Sequence, residues 1–230
     1  MVAAIRARWG AGALRPLGEV TRAAALPTGF AALDAALAGG GPLRGQIAHL
    51  LGAPTSGKTT LALKIMANGQ ARGDPALYID LGRALDPDYA RRCGVDLERF
   101  ALVWPGSAAL GLALARDLVA LGSVGVVVLD ATWGAGRAGG VSVAAQRLAA
   151  AVSRSSTVFL CLTGPGGLTP VLAPYAGLRL RLARGAWRRA GRDVSGYETH
   201  VTILKDSGAA PGRAVTIRVA FDQTVEGDGA

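Results

Sequence analysis

Short apolar runs alternate with segments of helical period along most of the chain. The apolar runs are bounded by polar or glycine-rich residues, which predicts buried strands of a parallel sheet. They cover residues 46–51, 76–80, 100–104, 124–130 and 157–162. The segments of helical period cover residues 28–37, where Thr28 is the expected N-cap, 61–67, 88–93, 108–121 and 142–153. Strands that alternate with helices indicate one α/β domain with a twisted sheet.

The pattern changes towards the end of the chain. Residues 178–182, 198–205 and 214–220 alternate or run apolar, with no long helix between them. These segments predict strands added to one side of the sheet, and we expect them to run antiparallel. The predicted organisation is an N-terminal arm at 1–25, a core at 26–222 and a frayed tail at 223–230.

A glycine-rich segment joins the first predicted strand to the helix that follows. Residues 52–59 read G-x-x-x-x-G-K-T, the pattern of a phosphate-binding P-loop. Its backbone N–H groups can surround a polyphosphate, and the helix N-terminus favours negative charge. We expect Lys58 to reach the β- and γ-phosphates of ATP and Thr59 to offer its hydroxyl to Mg²⁺. The alternative is a turn that only mimics the pattern, but the strand before it and the helix after it favour a nucleotide.

The predicted phosphate site comprises all residues of this segment and the threonine after it. They are Gly52, Ala53, Pro54, Thr55, Ser56, Gly57, Lys58, Thr59 and Thr60. A carboxylate, Asp130, ends the most apolar strand of the chain. Such a residue can cap a helix, but in a P-loop protein it orders the water shell of Mg²⁺. The P-loop earlier in the chain therefore favours the magnesium role.

Composition and charge bear on the cellular compartment of the protein and on the kind of partner it binds. The 230 residues carry a net charge of +9, with the densest arginines at 179–192. Arginine binds phosphate oxygens in pairs, so nucleic acid is one interpretation and a solvated face is the other. No apolar run reaches the ~18 residues of a membrane span. The first residues lack a signal-peptide pattern, and Cys93 and Cys161 lack metal or disulfide spacing, so a cytoplasmic protein is expected.

Several longer motifs resemble the bacterial RecA recombinase family, in an order that covers most of the chain. They are LPTGFAALDAALAGGG at 26–41, the P-loop, YIDLGRALDPDYARRCGVD at 78–96, VVVLD at 126–130 and YETHVTILKDSGAAPGR at 197–213. The third is the most specific, because its ALDP-x-YAR-x-x-GVD core has no general meaning in nucleotide-binding proteins. The resemblance implies a RecA-like P-loop NTPase core: a mostly parallel sheet flanked by helices, with a β-rich C-terminal part.

The resemblance also implies roles for individual residues. Asp86 and Tyr89 would hold the adenine, by a hydrogen bond and by stacking. Phe221 lies where the family has an aromatic residue that covers the nucleotide of a neighbouring subunit. Lys205 matches the first of two lysines that reach into that neighbour's ATP, whereas the second position is Ser207. The family forms filaments on single-stranded DNA in the SOS-type damage response, so a homo-oligomer is one expectation.

The departures from the family pattern bear on catalysis. Gly82 stands where the family has the glutamate that activates water, and Gly164 where it has a glutamine that senses the γ-phosphate. Both DNA-loop regions, after Asp130 and after Leu162, are shortened, and the family's C-terminal domain has no counterpart in these residues. Loss of a general base typically lowers a rate ~10²–10⁴-fold. We therefore expect an ATP-binding protein with weak or absent hydrolysis.

Two functions remain open at this point. The first is a recombination or repair protein that binds ATP and single-stranded DNA. The second is a non-catalytic relative that serves as an interaction module for a RecA filament or a translesion polymerase complex, like the ImuA-type accessory proteins. A clock or signalling ATPase of the same superfamily fits the ALDP-x-YAR segment poorly. The candidate DNA contacts are the aromatic and basic residues of the two loops and the arginine-rich stretch: Trp133, Arg137, Tyr175, Arg179, Arg181, Arg184, Arg188 and Arg189.

Overall fold

The structure is a computed structural model of the chain, and it describes residues 4, 7–8, 10, 23–133, 140–208 and 210–221. Most of the predicted arm at 1–25 lies outside the described residues. So do Arg137 and the predicted tail at 223–230.

Strands and helices alternate through the first two thirds of the described chain, as the sequence predicts. The strands are β1 (Gln46–Leu51), β2 (Ala76–Asp80), β3 (Phe100–Val103), β4 (Val126–Ala131), β5 (Val158–Thr163), β6 (Ala176–Ala190), β7 (Asp193–Asp206) and β8 (Ala214–Ala220). The α-helices are α1 (Ala31–Ala36), α2 (Lys58–Gln70), α3 (Pro87–Arg92), α4 (Ala108–Ala120), α5 (Val141–Val152) and α6 (Thr169–Leu172). Short 3₁₀ turns occupy Leu97–Arg99 and Ala173–Tyr175.

All of these strands join one sheet in the order β3-β2-β4-β5-β1-β6-β7-β8. The pairs from β3 to β1 are parallel, and β7 and β8 are antiparallel to their neighbours. The prediction was wrong for β6, which runs parallel to β1. The short α6 and the 3₁₀ turn after it carry the chain back across the sheet, and so β6 starts in the same direction as β1. The mixed α/β architecture itself is confirmed.

Two further expectations need correction. β6 spans 15 residues and includes most of the arginine-rich stretch, whereas the sequence predicted a strand at 178–182. Its second half is exposed and has no clear alternation, which hid it from the hydrophobic pattern. Thr28 is not the N-cap of α1, because the helix begins after Phe30. The Thr28 hydroxyl donates instead to Asp34 within α1, at 2.7 Å.

Helices cover the sheet on two faces, and each face holds its own apolar core. One core unites α1, α2 and α3 with the inward side chains of β1 and of β6 to β8. The other unites α4 and α5 with the opposite face of the parallel strands. The central strands are therefore buried on both faces, which is why their sequences run apolar without alternation. No helix among the described residues is long and apolar enough to cross a membrane.

Strand register gathers the chemically interesting residues at one edge of the sheet. Asp80 at the end of β2 lies beside Asp130 of β4. Leu51, the last residue before the P-loop, and Ala131 both lie beside Thr163. Since the carboxyl ends of parallel strands meet at one edge, the P-loop opens onto the same crevice as these residues.

Candidate nucleotide-binding site

The P-loop is a compact turn whose glycines are required by close contacts. Gly57 adopts a left-handed conformation, with φ of 92°, and a Cβ there would lie 2.7 Å from the hydroxyl oxygen of Thr199. A Cβ at Gly52 would meet the carbonyl oxygen of Leu182. Any larger residue at either position would push the loop away from β6 and β7. The two glycines of the G-x-x-x-x-G motif therefore stand at two positions where β6 and β7 come close to the loop backbone.

Lys58 lies inside the loop that it follows. Its Nζ donates to the carbonyl oxygens of Gly52 and Ala53, both at 2.8 Å, and the residue is almost fully buried. Burial lowers the pKa of the Lys58 ammonium, and the nearby charge of Asp130 opposes that shift. The ammonium is thus held at the centre of the turn, beside the backbone that would surround a phosphate.

Asp130 is held in a fixed orientation by two donors. The Tyr78 hydroxyl donates to one carboxylate oxygen at 2.7 Å, and the backbone N–H of Thr132 donates to the other at 2.9 Å. Burial and the Asp130 charge raise the pKa of Tyr78 well above its usual value, so this phenol stays protonated and keeps donating. The carboxylate is therefore oriented from both sides at the end of β4.

A cluster of hydroxyl groups links the start of α2 to two tyrosines. Thr60 Oγ1 lies 2.6 Å from the Tyr89 hydroxyl and 3.1 Å from the Tyr197 hydroxyl. Burial raises the pKa of Tyr89, which keeps its phenol neutral. α3 and β7 are thereby tied to the first turn of the P-loop helix.

These elements enclose a cavity of about 330 Å³. It is lined by P-loop residues, by the segment after β2, by the end of β4 and the residues after it, and by side chains from α3, β6, β7 and the residue after β8. The lining residues are Pro54, Thr55, Ser56, Gly57, Lys58, Thr59, Thr60, Ala84, Leu85, Tyr89, Asp130, Thr132, Trp133, Arg184, Tyr197 and Phe221. The cavity thus combines phosphate-binding backbone, two cations, one carboxylate and several aromatic rings.

The two predicted adenine residues have different positions relative to this cavity. Tyr89 lines it. Asp86 is the N-cap of α3, where its carboxylate accepts from the backbone N–H groups of Asp88 and Tyr89. It is not among the lining residues. Its adenine contact stays a prediction.

Phe221 and Lys205 were expected to act on a neighbouring subunit. Phe221 lies in this chain's own cavity, where its ring centroid is 5.7 Å from that of Tyr197. Lys205 lies at the opposite end of the sheet from the P-loop, and its Nζ donates to the carbonyl oxygen of Ala176 at 2.7 Å. Ser207, at the family's second lysine position, donates to Gly177 O. A role of Lys205 on a neighbour stays a prediction.

The two glycines that were predicted to stand at the family's catalytic positions have different surroundings. A Cβ on Gly82 would lie 2.7 Å from Cβ of Trp133 and 3.5 Å from its backbone carbonyl carbon, so the start of this residue's side chain occupies the space beside residue 82. A Cβ on Gly164 would have only the Thr132 carbonyl oxygen within 4 Å, at 3.8 Å. The place expected for the general base is therefore blocked, whereas that of the sensor is open.

The predicted DNA contacts do not form one surface. Trp133 and Arg184 line the cavity. Arg179 and Arg181 alternate with the buried Leu178, Leu180 and Leu182 and so lie on the opposite face of β6. Arg188 and Arg189 are exposed near the turn between β6 and β7, and Tyr175 lies in the 3₁₀ turn before β6. Only the residues outside the cavity stay candidates for an open nucleic-acid surface.

Sequence reasoning missed four residues of this region. Tyr78 and Tyr197 hold other site residues by their hydroxyls, Trp187 packs on Arg184, and the Thr132 hydroxyl is buried without a hydrogen-bond partner at the cavity. The sequence of β7 contained one indication. Tyr197 and Thr199 are two residues apart and so lie on the same, buried face of the strand, where their hydroxyl groups need hydrogen-bond partners. For Thr132, the sequence indicated a place in the site only by its position, two residues after Asp130.

A buried histidine connects the strand before the P-loop to the end of β5. His49 Nε2 lies 2.7 Å from Thr163 Oγ1, which lies 2.7 Å from Thr169 Oγ1. Thr169 donates in turn to the carbonyl oxygen of Gly164. His49 is also the register partner of Arg179 on β6. This row of side chains fixes the segment that follows β5 against β1.

Comparison with known proteins places this geometry in context. The RecA N-terminal domain family model matches residues 1–137. Protein RecA of Bacillus licheniformis is 31% identical, over 98% of this chain and 74% of the relative. Protein RecA of Rubrobacter xylanophilus is 33% identical, over 99% of this chain and 75% of the relative. Protein RecA of Enterococcus faecalis is 30% identical, over 98% and 74%.

His49 makes the stability of the fold depend on pH. Burial, together with the charge of Arg179, lowers the pKa of His49 from 6.5 to about 4. Between those values the unfolded chain binds a proton that the folded chain does not, so stability rises with pH and is fully present above pH 6.5. We expect a loss on the order of 3 kcal/mol on acidification through this window. Urea unfolding at several pH values should show a smaller change in His49→Gln, whereas His200→Gln, at an exposed site, should match the parent. Equal pH dependence in all three proteins would contradict the assignment.

Proposed function

The chain belongs to the RecA family, and we propose that it is a recombination and repair protein that binds ATP with Mg²⁺ and single-stranded DNA. We further propose that it hydrolyses ATP slowly or not at all, and that it acts in the SOS-type response to DNA damage. The main support for this proposal is that Lys58, Thr59 and Asp130 line one cavity at the P-loop.

The residues present fit a magnesium–nucleotide complex. In the described part of the chain, no three His, Cys, Asp or Glu side chains gather as a metal site. Mg²⁺ commonly takes one or two protein ligands and completes its shell with substrate phosphates and water. The Thr59 hydroxyl and the oriented carboxylate of Asp130 suit that arrangement. Bound Mg²⁺ would neutralise charge on the phosphates, while Lys58 donates to them from inside the loop.

Weak hydrolysis follows from the groups around the γ-phosphate position. Glycine at 82 offers no carboxylate that could take a proton from water, and Cβ of Trp133 lies where a side chain at residue 82 would begin. The missing base alone accounts for ~10²–10⁴-fold in rate. The residues that bind the nucleotide are separate from those that would cleave it, so affinity does not require turnover.

DNA binding is supported by charge and by the position of the arginines outside the cavity. Arg179 has a buried Nε without a hydrogen-bond partner and lies on the outer face of β6 with Arg181. Arg188 and Arg189 extend the basic surface towards the turn at Gly191. Such residues can neutralise phosphates without reading the base sequence.

Removing the Lys58 ammonium should abolish most of the nucleotide affinity. In Lys58→Ala, the phosphate charge loses a buried donor, so we expect Kd for ATP with Mg²⁺ to rise on the order of 100-fold by calorimetry. Arg154→Ala, which removes an exposed charge, is the control and should bind normally. Thermal melting without nucleotide checks that the loop variant is folded. Parental affinity in folded Lys58→Ala would refute the nucleotide site.

ATP hydrolysis should be slow and insensitive to DNA. We expect a faster rate only when residues 82 and 133 are substituted together. Because a side chain at residue 82 collides with Trp133, Gly82→Glu alone should stay inactive. The double variant Gly82→Glu/Trp133→Gly removes the Cβ that a side chain at residue 82 would meet, and it should release phosphate on the order of 10²-fold faster than the parent. Its control is Gly82→Gln/Trp133→Gly, which has the same shape without a base. Strong DNA-stimulated hydrolysis by the parent protein would show that another group already serves as the base.

Single-stranded DNA should bind without strong sequence preference and with a steep salt dependence. Reversing two charges in Arg188→Glu/Arg189→Glu should weaken binding about equally for all sequences, and the loss of two phosphate contacts should lower the log–log salt slope by about 1.4. Fluorescence anisotropy at several salt concentrations measures both. Arg72→Glu/Arg154→Glu carries the same change of net charge elsewhere on the surface and should bind more tightly than the first variant. If the parent protein binds no DNA at low salt, the interaction-module function takes precedence.

A further inference from the structure

Arg184 is fixed at the mouth of the P-loop by three contacts. Its Nε donates to the carbonyl oxygen of Thr55 at 2.9 Å. Its guanidinium carbon lies 4.4 Å from the ring centroid of Trp187 and 4.8 Å from that of Tyr197. Both distances are within the range of cation–π attraction. The planar group is therefore held in one orientation, unlike a flexible surface arginine.

The course of β6 explains why this arginine differs from its neighbours. Leu178, Leu180 and Leu182 point into the core, and Arg184 is the next residue on that face. An irregularity in the pairing with β7 follows between Arg184 and Trp187. After it, Trp187 lies against Tyr197, with ring centroids 6.1 Å apart. The strand thus delivers a cation and an aromatic ring to the nucleotide cavity.

The charge of Arg184 is not neutralised within the described part of the chain. No ion pair joins it to an acidic side chain there. The hydrogen bond to Thr55 uses Nε, and the two terminal nitrogens carry four further N–H donors. Two cations, Lys58 and Arg184, therefore line the cavity with a single carboxylate, Asp130. This balance favours an anion that carries several charges.

We propose that Arg184 binds the polyphosphate of the nucleotide from the same chain, beside the Thr55 carbonyl of the P-loop. The inference rests on the proposed nucleotide binding and adds a residue to that site. The guanidinium fork matches a pair of phosphate oxygens, and the stacked rings hold it in place before the ligand arrives. Arg184 therefore selects triphosphate over monophosphate, and it is not part of the DNA surface.

The test compares ATP with AMP in variants of this one position. In Arg184→Ala, Kd for ATP should rise about 10–100-fold, the loss expected for a hydrogen bond to a charged group. Kd for AMP, measured by the same calorimetry, should change by less than about threefold. Arg184→Lys keeps the charge without the fork and should recover only part of the ATP affinity. Arg154→Ala removes an exposed arginine outside the cavity; it is the control and should bind both nucleotides like the parent.

Each result separates this contact from the nucleotide site itself. Unchanged ATP affinity in Arg184→Ala, or equal losses for ATP and AMP, would overturn the contact. If Arg184→Ala does not fold, the ATP-to-AMP ratio in Arg184→Lys decides, and an unchanged ratio refutes the proposal. A failure of Lys58→Ala to weaken ATP binding would refute the nucleotide site whatever Arg184 does.

Discussion

The site depends on one close contact, between the P-loop and the strand pair β6–β7. The loop's glycines allow this approach, and Thr199 then donates to the carbonyl oxygen of Ser56 at 3.2 Å. Arg184 and Tyr197 reach the same loop from the two strands. The loop therefore does not fold on its helix alone. Its outer wall comes from strands that the generic P-loop pattern does not mention, and those strands decide which charges and rings face the ligand.

The residues suited to bind a nucleotide and the positions relevant to ATP hydrolysis lie in different parts of this site. The groups suited to hold a nucleotide lie on the loop itself and on the adjacent end of β4. The positions where a base and a sensor would stand belong to the segments after β2 and β5. At the first of these, a Cβ on Gly82 would lie 2.7 Å from Cβ of Trp133, so a side chain at residue 82 requires a change at residue 133.

Sequence alone predicted what is local and missed what depends on distant partners. The parallel strands are buried on both faces and so appear as apolar runs, and the P-loop is contained in eight consecutive residues. The extent of β6 is harder to predict from sequence, because the second half of this strand is exposed and its pairing with β7 is irregular. The alternation that brings Arg184 to the cavity ends at that irregularity. The pairing of Gly82 with Trp133, and of Thr60 with Tyr197 at a separation of 137 residues, leaves no periodic signal.

The wall of the nucleotide cavity has a consequence for how the protein forms during synthesis. The P-loop leaves the ribosome early, but its contacts with Arg184 and Thr199 span separations of 129 and 143 residues. Closing contacts over such distances is slow, and it waits until nearly the whole chain is available. A nascent chain that ends before β7 has a P-loop sequence but no outer wall. Competence to hold a nucleotide therefore arises late, as the last strands dock, and coincides with completion of the fold.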